Sequence, residues 1–264
     1  MQVITVATDV NDEGFTNFLK PSCEFYKLNL LVLQYGGSFF SNRLKDVLLE
    51  NYLKDVHDDE IIFFTDATDA AFLCGEDEIL KKLYSFNSPL VFSAEVNCWP
   101  DRTMEATYPS SSAHFKYLNS GGFIGRAGFI KQLYQRYPIS ITANHPQYNW
   151  SNQYYWNYIF IKEHETIKLD HNCEIFYNTS ILLDDINDFK ARLQSTEQVQ
   201  AMYNAEKQRL DKEIIPANHR VKSHVTGSLP CHIHFPGPIS KILMDNGYFN
   251  TIKAWEALPH SSSK

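Results

Sequence analysis

The run Ile61-Ile-Phe-Phe-Thr-Asp66-Ala-Thr-Asp69 joins four large apolar residues to two carboxylates three positions apart. An apolar run of this length reads as a strand buried on both faces, as in a parallel sheet. Asp66 and Asp69 then stand at the carboxyl edge of the strand, where open α/β sheets bind ligands. Two acids at one strand end repel each other and lose water. A divalent cation with oxygen ligands is the compensation the chemistry suggests. The plainer alternative is that one Asp caps the following turn while the other is solvated.

Strand and helix signals alternate around this run. Val3–Ala7 and Leu28–Leu33 read as strands, with a helical segment near Glu13–Leu19 between them. After Gly36-Gly37, an amphipathic helix is expected over Asn42–Val56, with Leu44, Val47, Leu48, Tyr52 and Leu53 at helical spacing. Gly75–Phe86 reads as a charged helix and Leu90–Ala94 as a fourth strand. This order predicts an α/β fold with a mostly parallel, doubly wound, Rossmann-like sheet flanked by helices.

The second half is less regular. Phe123–Gly125, Ile167–Leu169, Glu174–Phe176 and Cys231–His234 read as short strands. Phe129–Tyr137, Asn152–Ile161 and Pro238–Asn246 read as helices. Residues 184–213 are polar with weak apolar periodicity, which suggests a surface excursion or a partner-binding arm. Residues 260–264 read as a tail. No repeat or linker divides the chain, so residues 1–264 are expected to form a single domain.

Of the 264 residues, 44% are hydrophobic, enough for one large domain, and the formal net charge is −7. Acids and bases are spread throughout with no basic stripe, so nucleic acid is not an expected partner. No 18-residue apolar run is present, so no membrane partner is expected. The N-terminus lacks a basic region followed by a long apolar one, so a cytoplasmic location is the default expectation. Five widely spaced cysteines without a CxxC pair read as reduced core thiols rather than a disulfide frame or zinc site, with a single Cys–Cys bridge as the alternative.

Three further segments carry candidate chemistry. In His232-Ile-His234-Phe-Pro-Gly237-Pro-Ile-Ser240-Lys241, a strand end meets a helix start. A glycine, a helix N-terminus and a Lys together suit a phosphate. His234, at the loop edge, is the better metal ligand of the two histidines, and they are not expected to share an ion. A structural histidine beside a proline turn is the competing reading. In Leu118-Asn119-Ser120-Gly121-Gly122-Phe-Ile-Gly125, small residues before a strand would let backbone NH groups face an anion. In Ser93-Ala-Glu95-Val-Asn-Cys-Trp99-Pro100-Asp101, Glu95 falls near the same sheet edge as Asp66. Trp99 offers a flat face for a sugar ring, against the alternative of core packing. GxSxG, Walker A and GxGxxG motifs are absent, which counts against hydrolase, P-loop and dinucleotide readings.

These segments together resemble the glycosyltransferase domain of procollagen lysyl hydroxylases and related collagen glucosyltransferases, from about Val3 to Trp255. The most specific are Thr5-Val-Ala-Thr8, Phe63-Phe-Thr-Asp66-Ala-Thr-Asp69, Glu95-Val-Asn-Cys-Trp99-Pro-Asp101, Tyr117-Leu-Asn-Ser-Gly-Gly-Phe-Ile-Gly125, Leu169-Asp-His-Asn-Cys-Glu-Ile-Phe176 and His234…Gly237-Pro…Lys241. The resemblance implies a GT-A fold, a UDP-sugar donor, Mn2+ and a collagen-like glycopeptide acceptor. It implies Asp66, Asp69 and His234 as metal ligands. Gly237 and Lys241 would meet the phosphates, and Thr5, Thr8, Ala67 and Thr68 the uridine side. Arg43, Asn119 and Gly121 would complete the donor site. Glu95, Trp99, Asn152 and Gln153 would line the sugar and acceptor side. The implied reaction moves glucose from UDP-glucose to galactosyl-hydroxylysine. Galactosyl transfer to hydroxylysine, or non-catalytic binding of a UDP-sugar or collagen, are the alternatives.

One departure stands out. The family carries a run of aspartates before Gln, whereas this chain reads Asn149-Trp150-Ser151-Asn152-Gln153. Asparagine donates and accepts hydrogen bonds but cannot act as a carboxylate nucleophile. A front-face route is then expected if transfer retains configuration. A stand-alone transferase is expected, since 264 residues cannot also hold a hydroxylase half. A haloacid-dehalogenase-type phosphatase also begins with an apolar strand and Asp, but needs Asp-x-Asp where this chain has Asp-x-x-Asp. The polar segment 184–213 and a long acceptor together suggest a homodimer.

Overall fold

The computed structural model describes residues 1–37, 41–183 and 186–256. In chain order the elements are β1 (Gln2–Ala7), a π-helical turn (Phe15–Leu19), α1 (Lys20–Phe25), β2 (Leu30–Gln34), α2 (Leu44–Leu53), β3 (Ile61–Thr65), β4 (Ala70–Phe72), α3 (Glu76–Ser85), β5 (Leu90–Glu95), β6 (Tyr117–Arg126) and α4 (Ala127–Arg136). They continue with α5 (Asn152–Glu163), β7 (Ile167–Asp170), β8 (Phe176–Asn178), α6 (Ile186–Arg192), α7 (Thr196–Glu213), β9 (Ile214–Ala217), β10 (Arg220–Ser223), β11 (His232–His234) and α8 (Gly237–Asp245). The expected tail at 260–264 lies outside the described residues.

A six-stranded sheet in the order β2-β1-β3-β6-β5-β7 forms the centre. Every pairing in it is parallel except those of β6, which runs antiparallel to both β3 and β5. The alternation of β3 explains its unbroken apolar run. Ile61 and Phe63 enter a core on one side of the sheet, and Ile62 and Phe64 enter the core on the other. A second sheet, β4-β11-β8, sits at the carboxyl edge, and a β9–β10 hairpin completes the strands.

The sheet is mostly parallel, as expected, with β6 its antiparallel member. Three sequence expectations need correction. Strand β6 is ten residues long where only Phe123–Gly125 read as strand. The small residues read as an anion nest are instead required by packing. A Cβ on Gly121 would lie 2.2 Å from His234 Cε1, and one on Gly125 would lie 2.5 Å from the Pro89 carbonyl oxygen. The strand expected at Glu174 begins at Phe176, because the Asp170 carboxylate accepts the amide NH groups of Glu174, Ile175 and Phe176 at 2.7–2.9 Å.

On α2, Val47 is exposed while Asp46 is buried, its Oδ1 accepting from Trp156 Nε1 at 2.9 Å. Within 184–213, α7 packs against α8 and buries Met202, Glu206 and Leu210. Its apolar stripe is narrow because Glu206 occupies one buried position, held there by Arg209.

Candidate active site

Strand β3 delivers Asp66 to the carboxyl edge, where its backbone NH donates to the Gly121 carbonyl at 2.9 Å. The chain then turns to β4. The Asp69 carbonyl accepts the Phe235 NH at 2.8 Å, tying this turn to the end of β11. His234 thereby comes between the two acids, with Nε2 3.6 Å from both Asp66 Oδ2 and Asp69 Oδ1. Its Nδ1 faces Asn119 Oδ1 at 3.1 Å, because the Asn119 amide nitrogen is taken by Glu95. That contact turns Nε2 toward the carboxylates, as a second group commonly does for a metal-binding imidazole.

These three side chains fit a divalent cation. Nε2 of His234 is buried and has no hydrogen-bond partner, and the ligating atoms of all three residues lie within 4.8 Å of one another. A separation of 3.6 Å is long for a hydrogen bond and close to the spacing of neighbouring ligands around one ion. Burial favours the neutral forms of His234 and Asp69. Their mutual attraction overrides it, holding Asp69 down at about 2 and raising His234. Lys241 and Lys45 add to the effect on Asp69.

Thr8, Ala67, Thr68 and Lys241 line the open cleft beside the acids. Lys241 Nζ donates to Thr68 Oγ1 at 2.9 Å and lies 3.8 Å from Asp69 Oδ2. Gly237 opens α8 with φ +80, a backbone conformation suited to glycine.

Thr5 and Arg43 are not brought into the cleft. Thr5 is buried on β1 and donates to the Thr65 carbonyl at 2.7 Å. Arg43 turns away to Thr142 Oγ1 at 2.6 Å and to the Ile139 carbonyl, with its guanidinium over the Tyr155 ring. Beside Lys241, the cleft instead takes in Lys45, whose Nζ donates to Asp66 Oδ1 at 2.5 Å. Sequence reading missed it. A Lys in the first turn of a helix following a glycine-bearing loop was the available signal.

Gly121 does not serve an anion nest. Its NH donates to Asn119 Oδ1 at 2.9 Å, and its missing side chain makes room for the His234 ring. His232 and His234, two apart on β11, both face β6, and depth separates them. His232 is sealed in the core with Nε2 2.8 Å from Thr65 Oγ1, and burial holds its pKa well below the usual imidazole value.

Behind His234 lies a buried polar network. Glu95 accepts from Asn119 Nδ2 at 3.0 Å, Gln153 Nε2 at 2.6 Å and Ser180 Oγ at 2.9 Å. Burial pushes its pKa up against these donors. Gln153 Nε2 also reaches the carbonyls of Leu118 at 3.1 Å and Trp99 at 3.3 Å. Trp99 is half-buried beside a cis bond to Pro100. Ser151 caps α5, its Oγ accepting the Tyr154 NH, and Asn152 is buried in the first turn.

A mostly parallel sheet with two acids and a histidine at its carboxyl edge defines a GT-A glycosyltransferase architecture. In fold it is similar to the galactosyltransferase LgtC solved with donor and acceptor sugar analogues (TM-score 0.52, 9% identity, 98% of each chain). The PLOD GT domain profile matches residues 1–229, and the chain belongs to that family of glycosyltransferase domains. It is 31% identical over 214 residues to procollagen-lysine,2-oxoglutarate 5-dioxygenase 2 of Homo sapiens, covering 74% of this chain. It is 36% identical over 196 residues to dioxygenase 1 of Bos taurus, covering 70%. The matches span 28% and 26% of those relatives' own lengths. Among the described residues no helix is long and apolar enough to cross a membrane.

Proposed function

We propose that this chain is a single-domain, metal-dependent glycosyltransferase that moves glucose from UDP-glucose to galactosyl-hydroxylysine of collagen or a collagen-like protein. The observation that carries the reading is the unpartnered His234 Nε2 facing Asp66 and Asp69. Mn2+ suits a site of two carboxylates and an imidazole better than Mg2+, which prefers all-oxygen ligation. When bound, the ion would neutralise charge developing on the departing diphosphate.

The chain's own groups add to that task. Lys45 and Lys241 place two ammonium groups on the same cleft, where they attract an anionic donor and stabilise its leaving group. Thr8, Ala67 and Thr68 line the side expected to take the nucleoside. Glu95 orients Asn119, and Asn119 orients His234.

The residues opening α5 also bear on the route. Ser151 and Asn152 offer no carboxylate, and buried Glu95 is already bound to three donors. Neither position supplies a free nucleophile for a covalent intermediate. A front-face transfer therefore fits these residues. The acceptor hydroxyl oxygen bonds to the sugar C1 as the C1–phosphate oxygen bond breaks. The hydroxyl proton passes to the diphosphate.

The test is UDP release from UDP-glucose with a galactosyl-hydroxylysine peptide, before and after EDTA and after Mn2+ is restored. Full turnover in EDTA would overturn the reading. Turnover only with an unglycosylated hydroxylysine peptide and UDP-galactose would replace it with the neighbouring activity.

A further inference from the structure

A second cluster lies on the same two strands as the site, farther from the cleft. Cys74 follows β4 and Cys231 precedes β11, which are hydrogen-bonded to each other there through the Leu73 NH and the Cys231 carbonyl at 2.7 Å. Both thiols are buried and free, and the Cys74 thiol is within hydrogen-bonding reach of Cys231. Their sulfurs and a Glu78 carboxylate oxygen lie within 4.8 Å of one another. Glu78 is already occupied. Arg220 forks onto both of its oxygens at 2.8 and 2.9 Å, and Lys82 reaches it at 2.8 Å. Two cations on the only acid of the cluster oppose a metal ion and leave the two sulfurs to each other.

We infer that Cys74 and Cys231 form a structural disulfide when the protein folds in a thiol–disulfide buffer, clipping β4 to β11. The chemistry is exchange with a small disulfide such as oxidised glutathione. One cysteine thiolate attacks a glutathione sulfur and releases one glutathione thiolate. The second cysteine thiolate attacks the protein sulfur of the mixed disulfide and releases the other. The protein loses two protons and two electrons, and two glutathione thiols carry them away. In the folded protein, contact with Cys231 and burial hold the Cys74 thiol protonated, and both sulfurs are shielded from solvent and slow to react. The bond therefore forms during folding, before the pair is sealed.

The position gives the bond a consequence. Asp69 stands just before β4 and His234 ends β11, so the bond would cross-link the two segments that carry the acid and the imidazole. It would close a loop of more than 150 residues, the regime in which a cross-link restricts the unfolded chain most.

The test is refolding of the full chain from denaturant in glutathione buffers from fully reduced to fully oxidised, quenched with an alkylating agent. Intact mass and peptide mapping then read the result. The expected result is loss of two hydrogens, one linked peptide pair containing Cys74 and Cys231, and a melting temperature raised by about 5–10 °C over the reduced protein. Five alkylatable thiols under all buffers, glutathione adducts alone, or another pairing would overturn it. So would zinc retained with both thiols protected and no linked peptide. The mass readout on the unaltered protein decides the matter even if Cys231→Ser fails to fold. If it folds, Cys231→Ser should lose both the link and the shift.

Discussion

Lys45 Nζ donates to Asp66 Oδ1 at 2.5 Å, while Asp66 Oδ2 faces His234. One carboxylate is thus shared between a built-in cation and the position where a metal ion would sit. Replacing Lys45 with Met removes a positive charge from the cleft without shortening the side chain much. UDP binding by calorimetry should weaken about tenfold or more, and kcat/KM with UDP-glucose should fall about 100-fold. Unchanged nucleotide affinity would show that Lys45 serves only Asp66.

Asp69→Asn and His234→Ala should each cut turnover by about 100-fold or more at saturating Mn2+ while the circular dichroism spectrum stays that of the parent. Calorimetric titration with Mn2+ should show the heat of binding lost in both. Retention of stoichiometric Mn2+ by the double variant would remove these residues from the metal site.

Glu95→Gln keeps the shape of the buried acid but presents NH groups to a site that already supplies donors from Asn119, Gln153 and Ser180. The misfit costs about 1–3 kcal/mol of stability. Because Asn119 orients His234, kcat should drop about tenfold or more with little change in KM. An unaltered kcat in a destabilised variant would confine Glu95 to folding.

Asp46 sets a pH dependence of stability. Its Oδ2 is buried with no hydrogen-bond partner, and burial lifts its pKa to about 7 despite Arg43 and the Trp156 indole. The folded state therefore holds a proton that the unfolded chain, near 3.8, releases. The resulting stabilisation is complete below about pH 4 and is lost as pH rises through about 7. Asp46→Asn, which can still accept from Trp156, should flatten the decline. Relative to the parent, the variant should gain on the order of 1–3 kcal/mol between pH 5 and pH 8. Urea midpoints at the two pH values check this, and parallel declines in both proteins would refute it.

Local pattern determined a good deal. The unbroken run Ile61–Phe64 announced a strand with cores on both faces, and the acids after it marked the edge where the candidate site is built. The order of strands and helices in the first half led to the sheet. The glycines misled, because residues that free backbone NH groups for an anion are also required where a ring packs directly on a strand.

What only the tertiary structure decided is which distant groups meet. Hydrophobic periodicity is a property of a few neighbouring residues, whereas His234 reaches Asp66 and Asp69 because β11 joins β4 at the carboxyl edge of a sheet laid down much earlier in the chain. Likewise, the phase of α2 against that sheet sends Lys45 into the cleft and Arg43 onto Tyr155, a rotation that side-chain packing fixes and sequence spacing does not.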